Sequence, residues 1–548
     1  MTILHTICKT PLPACAADCG RTVPLKIRRF RTANFYTALM RAKVRIIRAK
    51  TAASTNVRLG VIIFMPKLLS GCKKNGIRIG SGWSMKPDIL LIQVDQLFSR
   101  VLNAYGGQSV TPAIDELCAS GVVFENCFCQ FPLCQPSRAS LWSGMYPHKT
   151  GILSNGRKWP VPNFGTEHKT VGDLFAHSGY KTVHFGKCHD AGTLRGFECA
   201  REEETFVPDT YDAWPYNMDT YEDANTGEKA CRFFKEWDFS SPLLMAVDFV
   251  NPHNICGWVG ANKGVHTDVP LPFGELPPLP PNFDFDDIEN RSASVRYICC
   301  SHVRQAQAAG WTKDNFRHYI AAYYHYLSLV DARIAQLLDV IKKRGKRDKT
   351  IIFFFSDHGD NVAARNCVTK QVNMYEECVQ VPLAVCGPGI VPRTEKISGL
   401  ACLLDIAPTL CALAGIPCPE NFDGISLLDP IYEGKDVERT YAACQWHTEW
   451  GYTVSPSRMI RTKRYKYIHY LEDDFEELYD LEHDPYEKKT QAHNPRYASA
   501  LRSMRDLFEE YLHSYADPYR TLEWKADRRW RSHLCGYHNH KGPAAPQV

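Results

Sequence analysis

Four short apolar runs, at residues 89–94, 182–185, 243–250 and 350–355, alternate with helical patterns along most of this 548-residue chain. A parallel strand buried on both faces reads as a near-continuous apolar run, so each of the four is expected to be one. The clearest helical pattern is Phe316, Ile320, Tyr323, Leu327, Val330, Ile334, Leu337 and Ile341, with steps of four and three. It stops at Gly345, just before the fourth run. Strands alternating with helices predict an α/β fold built on a doubly wound, mostly parallel sheet flanked by helices. No internal repeats interrupt the pattern.

Charge divides the chain. Residues 1–84 carry 16 Lys/Arg against one acid, Asp18, and the rest carries 49 Lys/Arg against 59 Asp/Glu. An acidic body argues against nucleic acid as a partner. The basic segment is expected to be a disordered extension or an incorrectly assigned start, since Met85 opens the first strand. The catalytic domain is then expected over 85–433. A smaller α+β subdomain follows over 434–530, with a hairpin region (459–470, then 477–480) and a helix at 495–515. Residues 531–548 read as a tail, and the Pro-rich stretch 271–281 as a surface loop. A start at Met85 leaves no export signal, which implies the cytoplasm. The composition of 1–84 also suits an organelle transit peptide, and Leu69-Ser70-Gly71-Cys72 a lipoprotein box. No apolar run reaches the ~18 residues of a membrane span. The 22 Cys show no paired zinc spacing and no small disulfide framework, so they are expected to be reduced, buried thiols.

In open α/β sheets ligands bind beyond the carboxyl ends of the strands. Each of the four runs is followed there by polar residues: Asp95 and Gln96, Lys187 and His189, His253, and Asp357 and His358. Singly, each has a structural explanation as a cap or loop residue. Together the two carboxylates, amide oxygen and imidazole suit Ca²⁺ or Mg²⁺, and the imidazole also admits Mn²⁺.

A longer motif adds specificity: Cys134-Gln135-Pro136-Ser137-Arg138-Ala139-Ser140-Leu141-Trp142-Ser143-Gly144. Pro136 and Ser137 favour a helix start. That puts Cys134 at a helix N-terminus, where backbone N–H groups favour an anion. Arg138 adds a planar cation one turn on.

With these residues the chain resembles the type I sulfatases of the alkaline-phosphatase superfamily. The resemblance runs from about Pro87 to about Glu487. It includes Gly186-Lys187-Cys188-His189, Asn251-Pro252-His253, Ser356-Asp357-His358-Gly359, Lys370, Tyr375-Glu376-Glu377, Leu404-Asp405-Ile406-Ala407-Pro408-Thr409 and the stretch Glu477–Pro485. It implies an alkaline-phosphatase-like fold and conversion of Cys134 to formylglycine by a separate maturation enzyme. The aldehyde would hydrate to a gem-diol, one hydroxyl of which attacks sulfur. By matched position, Asp95, Gln96, Asp357 and His358 would hold the metal, usually Ca²⁺. Arg138 and Lys187 would steady the formylglycine. His253 and Lys370 would bind sulfate and help protonate the leaving alcohol, and His189 would take a proton to expel sulfate. The chain departs from the commonest pattern at Gln96 (often Asp), Met145 (Arg), Cys188 (Trp), His358 (Asn), Cys378 (Ser) and Gln380 (Arg). None of these removes a catalytic group.

The function expected is hydrolysis of sulfate esters, with sulfated carbohydrates favoured by analogy. One alternative is a phosphonate monoester or phosphodiester hydrolase using the same formylglycine. Another is an inactive protein that binds a sulfated ligand with Cys134 left as thiol.

Overall fold

The computed structural model describes residues 86–155, 162–199, 219–262, 275–300, 303–370, 373–447, 455–471 and 473–522. The basic extension, the tail and residues 271–274 of the Pro-rich stretch lie outside them. Among the described residues, nine strands form one large sheet: β1 (Asp88–Asp95), β2 (Gly121–Phe128), β3 (Lys181–Gly186), β4 (Glu198–Cys199), β5 (Leu243–Pro252), β6 (Thr350–Ser356), β7 (Gln380–Val381), β8 (Leu383–Cys386) and β9 (Ile397–Cys402). Their order is β4-β3-β5-β1-β6-β8-β2-β7, with β9 beside β2. From β4 to β6 every pairing is parallel. The four strands expected from apolar runs are β1, β3, β5 and β6, neighbours in this half.

Parallel pairing puts their carboxyl ends on one edge. β8 runs antiparallel to both β6 and β2, so β2 ends on that edge too. β2, β8 and β9 did not stand out in the sequence. Glu125 and Asn126 break the apolar run of β2, and β8 is four residues long.

Both faces of the sheet are covered. Ile89 and Leu91 enter one core, while Leu90, Ile92 and Val94 enter the other. Among the covering helices are α1 (Pro112–Ala119), α2 (Cys134–Ser143), α3 (Asp219–Glu236), α4 (Lys313–Lys343), α5 (Ile406–Ala414) and α6 (Ala498–Ser514). α4 is the helix read from the four-and-three pattern. A capping box between Thr312 and Asn315 starts it, satisfying N–H groups that its first turn leaves without helical partners. Its buried stripe includes Tyr319 and Tyr323, whose hydroxyls reach the sheet edge.

A second sheet is antiparallel, in the order β10 (Ala442–Trp446), β11 (Ser457–Arg461), β12 (Tyr465–Tyr470), β13 (Phe475–Asp480). α6 packs on it through Leu501, Met504, Phe508, Tyr511 and Leu512. The core of this layer is continuous with one face of the large sheet, and the rings of Phe131 and Trp446 pack at a tilt with centroids 5.2 Å apart.

A buried ionic seam joins the two sheets. Lys466 lies 2.8 Å from Glu376 and 2.7 Å from Glu487, and Arg365 lies 2.8 Å from Glu377. Glu477, on β13, accepts from the hydroxyls of Tyr375 (3.2 Å) and Tyr479 (2.6 Å). Burial pushes its carboxyl up to about 7, against the pull of Arg291 at 3.6 Å. Its folded pKa thus exceeds the unfolded value. Below about pH 4.5 both states hold the proton and stability is undiminished. As pH rises towards 7 the unfolded chain ionises first, and stability falls. Glu477→Gln removes that slope. The variant is expected to match wild type near pH 4.5 and to exceed it by on the order of 1–3 kcal/mol above pH 8. Urea titrations at the two pH values check this, and equal gains at both would refute it.

Candidate active site

Cys134 is the first residue of α2, reached through a loop from the end of β2. No side chain caps this helix start, as Leu133 precedes it. The end of β2 and the ends of β1, β3, β5 and β6 therefore surround one point. There the Cys134 sulfur lies 3.2 Å from His358 Nε2, 3.7 Å from Lys187 Nζ and 3.8 Å from Asp95 Oδ1. His189 and His253 also lie close enough to act on its charge. Cys134, Arg138, Asp95, Asp357 and His358 form a fully buried floor, and Lys187, Cys188, His189 and His253 are half-buried around the opening.

Asp95, Asp357, His358 and Cys134 offer ligand atoms within 4.8 Å of one another. Their second partners orient them for a cation. His358 Nδ1 lies 2.9 Å from the carbonyl of Gly359; donating there fixes the ring with Nε2 facing the cluster. Asp357 Oδ1 accepts from the backbone N–H groups of Gln96 (3.1 Å) and His358 (2.9 Å). Burial and the neighbouring Asp95 push the Asp357 carboxyl up, so added positive charge there is stabilising. The donor set is oxygen-rich with one imidazole and fits a divalent cation.

Gln96 stands at the same edge in a left-handed conformation, with φ 68°. Its carbonyl accepts from Tyr323 (2.6 Å), its amide oxygen from Lys370 Nζ (2.6 Å), and its amide nitrogen donates to Asp360 (2.5 Å). Four bonds, counting its N–H to Asp357, hold a backbone geometry that L-residues rarely adopt.

The electrostatics favour an anion at position 134. Burial raises the Cys134 thiol, but Lys187, Lys370 and His358 together outweigh burial and hold it well below the usual thiol range. Burial and Cys134 also work to raise Asp95, yet Lys187 and Arg138, among other neighbours, keep it low. His253 is pushed down to about 3 by burial, with Lys370 and Lys187 adding to the effect. It is therefore neutral at pH 7 and keeps one N–H to donate.

All the residues singled out in the sequence at strand ends meet at this edge, with Arg138 beneath. Three further polar residues were not anticipated: Gln93, His184 and Asp248. They lie inside the apolar runs themselves, and each is about 1 % exposed. A charged or polar residue within a two-faced buried strand was the signal available.

The sulfatase family model matches residues 87–416, and the model for the C-terminal part of N-sulphoglucosamine sulphohydrolase matches residues 369–513. The chain is 43% identical over 468 residues to the Delta 4,5-hexuronate-2-O-sulfatase of Bacteroides thetaiotaomicron, covering 84% of this chain and 96% of that one. It is 29% identical to the choline-sulfatase of Rhizobium meliloti, covering 81% and 90%. Among solved structures, a 2-O GAG sulfatase superposes with a TM-score of 0.78 at 43% identity, covering 84% of this chain and all of that one.

Proposed function

This chain belongs to the sulfatase family of sulfuric ester hydrolases, and on that premise we propose that it removes the 2-O-sulfate of a Δ4,5-unsaturated hexuronate in glycosaminoglycan fragments. What carries this reading is the 43% identity, over 468 residues, to an enzyme of that name.

The family generally works with formylglycine and a divalent metal. We place the formylglycine at Cys134, made by a maturation enzyme of the host, and Ca²⁺ at Asp95, Asp357 and His358. Gln96 belongs to the same set by position. Hydrated formylglycine supplies a hydroxyl nucleophile for sulfur, and the cation supplies positive charge beside it. The chain's own residues do the rest. Lys187 and Lys370 take sulfate oxygens and offset charge that grows in the transition state. His253, neutral, donates a hydrogen bond from its one N–H to the leaving oxygen, and the ammonium of Lys370 beside it gives that oxygen the proton it takes up. His189 accepts a proton from the side chain at position 134 when sulfate departs. Arg138 holds the floor.

The test is a panel of an unsaturated 2-O-sulfated disaccharide, its 6-O-sulfated isomer, choline sulfate, an aryl sulfate and an aryl phosphate diester. Sulfate release is expected to be fastest on the first, with the aryl sulfate a slower substrate. Faster turnover of the phosphate diester would favour a phosphodiesterase. Faster turnover of choline sulfate or the 6-O isomer would overturn the substrate assignment while leaving sulfatase chemistry in place.

A further inference from the structure

Arg138 faces three buried carboxylates: Asp357 at 3.0 Å, Asp95 at 3.1 Å and Asp248 at 3.5 Å. Two of these belong to the candidate cation site and the third does not. A cation there competes with the guanidinium for Asp95 and Asp357. Arg138 then needs a counter-ion that the cation does not share, because a buried charge stripped of its partner is costly.

Asp248 has that place, and its own surroundings fix it. Its second oxygen bonds to His184 Nε2, which carries the proton because a carboxylate there only accepts. Gln93, with its amide turned to satisfy its neighbours, donates to Asp248 at 3.0 Å and accepts from both terminal nitrogens of Arg138 at 3.0 and 3.1 Å. Strand register explains the grouping. Gln93 on β1 and Gly186 on β3 both pair with Asp248 on β5. His184 lies two residues before Gly186, hence on the same face, the one that α2 covers. A one-residue slip of any of these strands would turn its member to the other core.

We propose that the Asp248–His184 pair, with Gln93, is a positioning device that holds the Arg138 guanidinium in place while Asp95 and Asp357 serve the cation. These residues touch neither substrate nor cation and act through Arg138. The inference rests on the site assigned above under the proposed function. A purely structural role would predict lost stability and nothing more.

The test uses Asp248→Asn, His184→Phe and His184→Gln in the full chain, with two readouts. One is kcat and KM on an aryl sulfate, corrected for the fraction of converted Cys134 measured by mass. The other is Ca²⁺ affinity by calorimetry, which needs no turnover. Asp248→Asn is expected to lower kcat roughly 10- to 100-fold with KM within about threefold, and to weaken Ca²⁺ binding about tenfold, as Arg138 then leans on the ligands. His184→Phe is expected to follow it. His184→Gln, which keeps an N–H towards Asp248, should restore both quantities to within about threefold of wild type. Combining Asp248→Asn with His184→Phe should cost little beyond Asp248→Asn alone. Unchanged kcat and Ca²⁺ affinity in folded Asp248→Asn would overturn the proposal, as would equal defects in His184→Gln and His184→Phe. Should Asp248→Asn fail to fold, the His184 pair decides. A wild type that binds Ca²⁺ but cleaves no sulfate ester would count against the functional reading, and the calorimetric comparison would still judge this one.

Discussion

Cys134→Ala is expected to abolish sulfate-ester hydrolysis, by at least about 10⁴-fold in kcat, since it removes the atom from which the nucleophile is made. The floor around it is expected to survive. Arg138 still bridges Asp95 and Asp357, and Lys187 still bonds to Asp95, so no buried charge loses its last partner. The melting temperature should therefore stay within a few degrees of wild type. Paired rate and melting measurements check both halves. An alanine variant that kept near-normal rates would remove Cys134 from the mechanism. Intact-mass analysis of the peptide spanning residue 134 is the companion measurement. Conversion to formylglycine makes it about 18 Da lighter, whereas an unmodified thiol in the natural host would point to a binding role.

Removing the divalent cation is expected to have the second largest effect. Asp95 and Asp357 share one buried floor, and the Asp357 carboxyl is already pushed up by burial and by Asp95. A bound cation relieves that repulsion in a low-dielectric setting, where it counts for most. Exhaustive chelation should lower activity by about 10²-fold or more, in line with the loss of one strong electrostatic contribution to a transition state. It should also lower stability, by about 2.7 kcal/mol relative to protein saturated at 100 times the dissociation constant. Returning Ca²⁺ should restore both. Metal analysis alongside the assay makes the result decisive: full activity with well under one cation per chain would dismiss the metal role.

Much of the site was legible before any coordinates. The polar residues Asp95, Lys187, His253 and Asp357 follow runs whose composition marks them as parallel strands, and parallel strands share an edge at their carboxyl ends. The spacing of α4 survived intact because its buried stripe follows the helical period over 31 residues. β2 escaped notice although it delivers Cys134, because two polar residues interrupt it and no period betrays it. The motif residues Glu376, Glu377 and Glu477 receive no role from the linear reading. In space they belong to the seam between the sheets, paired with Lys466, Arg365 and Arg291.

The alternation of β1, β3, β5 and β6 with helices, the chemistry at the ends of those four strands and the helix start at Cys134 were determined by the sequence alone, because they rest on local pattern and on rules of chain direction. Which charge faces which was decided only by the tertiary structure. Gln93, His184 and Asp248 are separated by up to 155 residues, and nothing local links them. They meet because strand register places them on one face beneath Arg138. Register is a property of paired backbones, fixed when the whole sheet buries both its faces.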